Sequence, residues 1–306
     1  MSLAVYTTVY PGVERYLVDW FRSLRQQTDQ DFQLWIGSDM LACEPVQKLL
    51  EGNLDARWVV APSGATAAEV RQHVLAQVVE TCSAVVLVDS DDLLHPTRVA
   101  AARTGLDDSE LAGCALCLID QQGKQLGLTY NLPDKLGPDD VFPHNNVYGF
   151  SNSAFRSELL KKCLPIPPAA VLVDWFLATR AWLLGARLAF DRVPRMDYRQ
   201  HAVNTARVRF PVDPDQVDSD TSLVRQHFQL VLAELTPEFK VDRVAAVRRA
   251  AAEVDAFHQS IVLHAGRLDD YVRALNDLHP APLWWSSVAN PLLRHLWTRG
   301  TEYESC

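Results

Sequence analysis

The amino-acid sequence predicts an α/β protein, with a mixed β-sheet flanked by helices and a helical segment at the C-terminal end. Three observations carry this prediction. Short apolar runs alternate with longer amphipathic stretches from Ala4 to Ile119, which is typical of right-handed βαβ units. The turn-forming run Gln121 to Lys124 separates two strand-like stretches and predicts a hairpin. Beyond Pro214 strand and turn signals become sparse, which indicates helices.

The individual elements follow from the same patterns. A helix is predicted over 14–27 because Leu17, Trp20 and Leu24 share one face of a 3.6-residue period. The helix over 174–184 ends at Gly185, since glycine commonly terminates helices. Residues 131–146 are polar and contain Pro and Gly, so they predict an active-site loop or lid. Further helices are predicted at 66–81, 96–104 and 155–163, and strands at 4–8, 32–37, 57–61, 84–89, 112–119, 125–130 and 196–201.

A change in composition near residue 210 predicts two units, an α/β domain over 1–210 and a helical extension over 211–306. Apolar residues at helical spacing in the extension, such as Val244, Val254 and Phe257, predict packing against the first domain or a homodimer contact. The tail combines Trp284 and Trp285 with arginine and histidine, so it could instead lie at a membrane surface near a lipid-linked acceptor.

The overall composition argues against several classes of protein. The 306 residues carry a net charge of −9 without a dense Lys/Arg cluster, whereas a nucleic-acid partner would require a basic face. The first residues lack the basic and apolar regions of a signal peptide. The most apolar long stretch, residues 169–190, is interrupted by Asp174, Arg180 and Arg187, so it does not predict a membrane span. We therefore expect a soluble, cytoplasmic protein.

The most informative stretch is the buried-strand pattern of residues 84–88, followed directly by Asp89-Ser90-Asp91-Asp92. Ligands of open α/β sheets bind beyond the carboxyl ends of the strands. Three neighbouring carboxylates repel one another unless a cation lies among them, so the run predicts a divalent metal that carries a diphosphate. Alternatively, Ser90 or Asp92 only caps the helix that begins near Pro96.

Three motifs resemble those of family-2-type glycosyltransferases with the GT-A fold, and the resemblance covers residues 3–207. It implies metal-dependent transfer of a sugar from a nucleotide-diphosphate sugar to an acceptor hydroxyl, with inversion at the sugar carbon. The motifs are Asp89 to Asp92 with Pro96, similar to D-x-D-D-x-x-x-P; Val173-Asp174-Trp175, similar to the E-D segment; and Tyr198-Arg199-Gln200-His201 with Asn204, similar to Y-R-x-H-x-x-N.

The resemblance implies a metal and nucleotide site. Asp91 would ligate Mn²⁺ or Mg²⁺, Asp89 would position the ribose or the metal, and His201 would complete the metal shell or be structural. Asp39 could equally be an ordinary loop carboxylate, and Arg71 a solvated helix residue. The further implied nucleotide contacts are Thr8, Asp39, Arg71, Ser90 and, closing over the phosphates, Arg207 or Arg209.

The same resemblance implies that Asp174 is the general base that removes the proton of the acceptor hydroxyl. Its alternative role is that of a first-turn carboxylate favoured by the helix dipole. Trp175, His144 and Asn146 are candidate contacts to the sugar and the acceptor, although Trp175 could equally belong to the core.

Two departures from the family pattern leave the substrate more open than the reaction. The first strand ends in Thr8-Val9-Tyr10-Pro11 instead of Pro-x-Tyr-Asn, and Val173 replaces the first acidic residue of the E-D pair. The alternatives are a nucleotidyltransferase-like enzyme and a non-catalytic module that binds sugar nucleotides. The expected partners are a UDP-sugar as the favoured donor and a saccharide or lipid-linked acceptor, with a homodimer and contact with the inner face of a membrane as open possibilities.

Overall fold

The computed structural model describes residues 1–50, 55–201, 204–205, 211–278 and 283–298. Within these residues, nine strands belong to one sheet. Its central strands Leu3–Val9, Ala84–Leu87 and Ser153–Arg156 are almost entirely buried, as expected where helices cover both faces. The strands are β1 (Leu3–Val9), β2 (Gln33–Ser38), β3 (Ala56–Val60), β4 (Ala84–Leu87), β5 (Leu93–Leu94), β6 (Leu111–Ile119), β7 (Gln125–Tyr130), β8 (Ser153–Arg156) and β9 (Leu188–Arg199).

Local features of the sequence explain why two of the helices form where they do. The first helix buries Leu17, Trp20 and Leu24 on one face. The third begins with a capping box, in which Thr66 and Glu69 satisfy each other's backbone N–H groups. The helices are α1 (Glu14–Arg25), α2 (Cys43–Leu49), α3 (Ala67–Thr81), α4 (Arg98–Asp108), α5 (Ser157–Cys163), α6 (Val173–Leu183), α7 (Pro214–Ala233), α8 (Val241–Phe257), α9 (Ala265–Leu278) and α10 (His295–Thr298).

The order of the strands determines which strand ends meet at the edge that carries the candidate site. The strands run β3-β2-β1-β4-β8-β6-β9-β5, with β7 paired to β6. Strands β3, β2, β1 and β4 are mutually parallel, so their carboxyl ends meet at one edge. Strand β8 is antiparallel to both β4 and β6, whereas β9 is parallel to β6. The predicted α/β class with a mixed sheet is confirmed.

Apolar side chains fill both faces of this sheet. Alternation along β1 places Val5 on the face covered by α1 and α4, and Tyr6 on the opposite face. Helices α3, α5 and α6 cover that opposite face, and α7, α8 and α9 belong to the same continuous apolar cluster. The extension therefore packs against the first unit, although its independence as a domain stays a prediction. Among the described helices, none has the length and apolarity to cross a membrane.

Two predicted boundaries were wrong. Phe155 was assigned to the start of a helix but lies in β8, and α5 begins only at Ser157; no glycine or proline separates the two elements. Strand β9 begins at Leu188 rather than near Met196. Its register against β6 shifts around Pro194, and this irregularity conceals the period of two that a strand usually displays. The short elements α2 and β5 have no clear signal in the sequence.

Candidate active site

The candidate active site lies where β1 and β4 end, beside the acidic run Asp89 to Asp92. Ser90 Oγ donates to the Thr8 carbonyl at 2.6 Å, which ties the run to the end of β1. Ser90 is fully buried, so the predicted nucleotide contact of its side chain is corrected to a structural link. The Thr8 hydroxyl is half-buried and lies 2.8 Å from the hydroxyl of Tyr6.

Asp92 connects three segments of the chain. One carboxylate oxygen accepts from the backbone N–H of Arg199 at 2.7 Å, and the other accepts from the Ser151 hydroxyl. Burial raises the pKa of Asp92 well above the usual range of a carboxyl. Helix α4 begins after Thr97 without a side-chain cap. The alternative that Ser90 or Asp92 only caps this helix is therefore wrong.

Asp91 and His201 form a buried polar pair. His201 Nε2 lies 2.8 Å from Asp91 Oδ2, with side-chain exposures of 4% and 10%. The His201 ring stacks on Tyr16 with the centroids 5.6 Å apart, and Tyr10 donates to the same carboxylate oxygen at 3.5 Å. The two residues are thus in contact across 110 positions of the chain, whereas the role of His201 toward a metal stays a prediction.

Arg71 and Asp89 form the second pair. Their nitrogen and oxygen atoms are 2.9 Å apart, and the side chains are 20% and 25% exposed. The guanidinium also lies 4.1 Å from the ring centroid of Phe150. Burial raises the pKa of Asp89 to about 6, while the charge of Arg71 opposes that rise. Arg71 is therefore part of the site and not the solvated helix residue of the alternative interpretation.

Asp174 lies in the first turn of α6 and faces the same cluster. Its Oδ2 accepts from Asn146 Nδ2 at 3.1 Å. Burial raises the pKa of Asp174, against the opposing effects of the Trp175 backbone N–H, of Arg71 and of Asn146. A Cβ added to Gly149 would lie 3.7 Å from the carboxylate, so the loop backbone passes close to it. Asp174 is half-buried. It therefore lies in the first turn of the helix and is also accessible from the site.

Asp39 follows β2, the strand next to β1. Its backbone N–H donates to the Val9 carbonyl at 2.9 Å, and the residue is half-buried. Since Thr8 pairs with Gly37 in the register of β1 and β2, Asp39 and Thr8 lie at one edge with the acidic run. Their predicted contact with a base or ribose stays a prediction.

Of the three predicted sugar or acceptor contacts, two are revised and one stays a prediction. Trp175 is 0% exposed and stacks on His227 at 4.2 Å, so the alternative core role is the one observed. Asn146 is also buried and binds Asp174 instead of facing a ligand. His144 is exposed, and partial burial of its ring lowers its pKa; its contact with the sugar or the acceptor stays a prediction. Arg207 and Arg209 lie outside the described residues.

Sequence reasoning missed two residues that hold the site together. Arg199 is 1% exposed, and its Nε donates to the Asp91 carbonyl at 2.7 Å. Ser151 accepts from the Asp89 backbone N–H at 3.0 Å and donates to Asp92. Arg199 stands within the quoted Y-R-x-H segment, which could have flagged it. Ser151 follows a polar loop and has no comparable signal.

The Asp91 and His201 side chains could hold a divalent metal. Among the described residues, no three His, Cys, Asp or Glu side chains converge into a ready-made metal cluster. The Asp91 oxygen and the His201 nitrogen nevertheless provide two adjacent donors, and His201 Nδ1 is buried without a hydrogen-bond partner. Magnesium-like ions are commonly bound by one or two protein ligands plus substrate phosphates. The donor set therefore fits a metal that arrives with a diphosphate.

Comparison with solved structures identifies the fold. No protein-family model and no curated protein sequence matches the chain. The structure of S. aureus TarS 1–349 with UDP is 15% identical over 85% of this chain and 72% of that chain, with a TM-score of 0.57. Its complex with UDP-GlcNAc is 14% identical over 96% and 92%, with a TM-score of 0.55. The mannosyltransferase PcManGT from Pyrobaculum calidifontis, in complex with GDP-Man and Mn²⁺, is 15% identical over 96% and 78%, with a TM-score of 0.54. The chain thus has the α/β GT-A fold.

Proposed function

We propose that this protein is a glycosyltransferase that moves a sugar from a nucleotide-diphosphate sugar to an acceptor hydroxyl, with inversion at the sugar carbon. The observation that carries the proposal is the clustering of Asp89, Asp91 and Asp174. The charges of Asp91 and Asp174 both act on Asp89, and Arg71 interacts with Asp89 and Asp174 together. Such a transfer can use one pair of carboxylates to bind the metal and the donor. A separate carboxylate then activates the acceptor hydroxyl.

The acceptor side of the reaction depends on Asp174. Its carboxylate accepts the proton of the acceptor hydroxyl while that oxygen attacks the sugar carbon from the face opposite the diphosphate. Asn146 donates to Oδ2 at 3.1 Å and thereby helps to orient the carboxylate. The Trp175 N–H and Arg71 counteract the effect of burial on the Asp174 pKa, which favours the ionised form that a base needs.

The donor side depends on the acidic run and the neighbouring strand ends. Asp91 and His201 would hold Mn²⁺ or Mg²⁺, and such an ion would help to neutralise the charge on the departing diphosphate. Asp89, oriented by Arg71 and Ser151, binds the ribose or the metal. Thr8 and Asp39 contact the nucleoside at the ends of β1 and β2.

A UDP-sugar is the donor that we propose first. Two structural neighbours are complexes of TarS with UDP and UDP-GlcNAc, whereas PcManGT holds GDP-Man and Mn²⁺. Both support a nucleotide sugar, and the second supports a divalent metal. For the acceptor we propose a saccharide or lipid-linked hydroxyl, and for the location the cytoplasm or the inner face of a membrane.

A thermal-shift screen with UDP-, GDP- and dTDP-sugars tests the proposal, since a ligand that binds only the folded state raises its stability. We expect one nucleotide class to raise the melting temperature in Mn²⁺ and to lose that effect in EDTA. Nucleoside triphosphates with a sugar phosphate serve as the comparison, because pyrophosphate release would indicate a nucleotidyltransferase. No shift with any nucleotide sugar would contradict the proposal.

A further inference from the structure

Two consecutive tryptophans of the C-terminal tail contact both halves of the candidate site. Trp285 is 4% exposed and Trp284 is half-buried. Neither residue lies in the acidic run or in the E-D segment, and the function proposed above gives them no role. Their ring contacts nevertheless lead to Asp174 on one side and to His201 on the other.

The first connection runs from Trp285 to the general base. The rings of Trp285 and Trp175 are nearly parallel, with an interplanar angle of 11° and centroids 5.6 Å apart. Trp175 follows Asp174 directly, and its backbone N–H interacts with the Asp174 carboxylate. A displacement of the Trp175 ring therefore displaces both the base and a backbone donor that lowers its pKa.

The second connection runs from Trp284 to the metal side. Trp284 stacks on Tyr130 with centroids 4.2 Å apart and meets the ring of Tyr198 edge-on at 5.0 Å. The Tyr198 hydroxyl accepts from Asn204 Nδ2 at 3.3 Å, and Asn204 Oδ1 accepts from the His201 backbone N–H at 2.6 Å. Trp284 thus packs on the segment that fixes the main chain of His201.

The C-terminal helices hold the tail in place. Ser287, two residues after Trp285, donates to Asp220 of α7 at 2.7 Å, and its carbonyl accepts from the Tyr271 hydroxyl of α9 at 3.0 Å. Asn290 donates its N–H to the same tyrosine oxygen at 3.0 Å. These buried hydrogen bonds fix the tail to α7 and α9, so the two tryptophans approach the site from a rigid support.

We propose that Trp284 and Trp285 are positioning residues of the transfer reaction, with Trp285 orienting Asp174 and Trp284 orienting His201. The proposal rests on the proposed function, because it assigns Asp174 to the acceptor and His201 to the metal. Under this proposal, the C-terminal segment contributes to the geometry of the candidate active site. Aromatic pairs prefer defined offset or edge-on geometries, so flat rings can set the angle of their neighbours in a way that flexible aliphatic side chains do not.

The test uses Trp284→Leu and Trp285→Leu in the full chain, because leucine keeps an apolar side chain but removes the flat ring. Trp284→Phe and Trp285→Phe are the conservative variants that should restore function. Trp58→Leu is the matched control: Trp58 is a half-buried tryptophan of the edge strand β3, and it packs against the apolar cluster on the sheet face covered by α1 and α4.

Amide hydrogen exchange reads the positions of the segments without reference to activity. We expect Trp285→Leu to accelerate exchange around Trp175, Trp284→Leu to accelerate it around Tyr198, and Trp58→Leu to do neither. Equal acceleration in all three variants, or none in the first two, would overturn the proposal. This result stands even if the protein transfers no sugar, so it separates failure of the tryptophan proposal from failure of the proposed function.

Kinetics with the donor found in the screen then distinguish positioning from simple structural support. We expect Trp285→Leu to lower kcat by about 10- to 100-fold at unchanged donor KM, since small misplacements of reacting groups are costly. Trp284→Leu should raise the Mn²⁺ requirement by about 10- to 100-fold, as loss of support for a metal ligand does. The phenylalanine variants should recover most of each loss. Wild-type kcat, KM and Mn²⁺ dependence in both leucine variants would contradict the proposal.

Discussion

The guanidinium of Arg71 pairs with the Asp89 carboxylate at 2.9 Å, and its charge also acts on Asp174. One cation from α3 thereby serves the carboxylate on the donor side and the carboxylate on the acceptor side. The ring of Phe150 lies 4.1 Å from this guanidinium and fixes its position. Under the proposed function, Arg71 would therefore influence both the binding of the donor and the protonation state of Asp174.

We predict that Arg71→Gln moves the acidic limb of the kcat against pH profile to higher pH. Arg71 lowers the pKa of Asp174, so its removal raises that pKa and the base is protonated at a higher pH. Arg103→Gln is the matched control, because Arg103 pairs with Asp29 at 2.7 Å away from the acidic run. A profile that Arg71→Gln leaves in place would remove Arg71 from the control of the base.

Asp91 and Asp92 should differ when each is replaced by asparagine. Asp91→Asn is expected to abolish the dependence of UDP binding on Mn²⁺, because it removes the charged oxygen of the donor pair. Asp92→Asn is expected instead to lower the melting temperature, because Asp92 is buried and accepts from Arg199 and Ser151. Calorimetric titration and thermal unfolding measure the two effects. Identical behaviour of the two variants would contradict their separate roles.

A chain that ends at Asp213 should aggregate. Val224, Phe228 and Val254 belong to the apolar cluster that also contains Phe176 and Leu177 of α6, so removal of α7 to α9 exposes a large apolar face. Light scattering and size-exclusion chromatography test this expectation. A soluble, monomeric fragment that binds nucleotide would show that the extension is a separate domain.

Asp174→Asn should fold and bind the donor but lose transfer by about 10²- to 10⁴-fold, the usual effect of removing a general base. An amide can keep the first-turn position but cannot accept the proton. Asp139→Asn, which replaces an exposed carboxylate paired with Arg243, is the control. Activity within a few-fold of the wild type would leave Asp174 with only its first-turn role.

The sequence predicted the parts of the site that depend on local pattern. Asp89 and Asp91 directly follow a buried strand, so the strand signal was sufficient to locate them, whereas Asp174, at the start of α6, was located through the resemblance to the E-D segment. Contacts between distant segments had no such signal: Ser151 meets Asp89 across 62 positions. Trp175 was a candidate for stacking on the sugar, with a core role as the equal alternative. Apart from Asp174, every residue of α6 is buried, so the core role is the one observed.

The prediction of an active-site loop or lid at residues 131–146 shows a further limit of sequence analysis. Residues 131–146 carry the composition of a mobile loop, yet Asn145 and Asn146 are buried, and Asn146 makes three hydrogen bonds with Tyr148 and Asp174. Composition does not reveal that a polar side chain will be satisfied inside the protein. Only the packing of the loop against α6 turns Asn146 from a candidate ligand contact into a partner of the base.

The anomeric configuration of the first product tests the proposed reaction most directly. Proton NMR of the protein with an α-linked UDP-sugar and Mn²⁺ follows UDP release, with water as the acceptor when no other is present. We predict that the sugar appears first as the β-anomer, because a single displacement assisted by Asp174 inverts the carbon, and that Asp174→Asn suppresses its formation. Initial release of the α-anomer, or wild-type turnover by Asp174→Asn, would contradict the proposed mechanism.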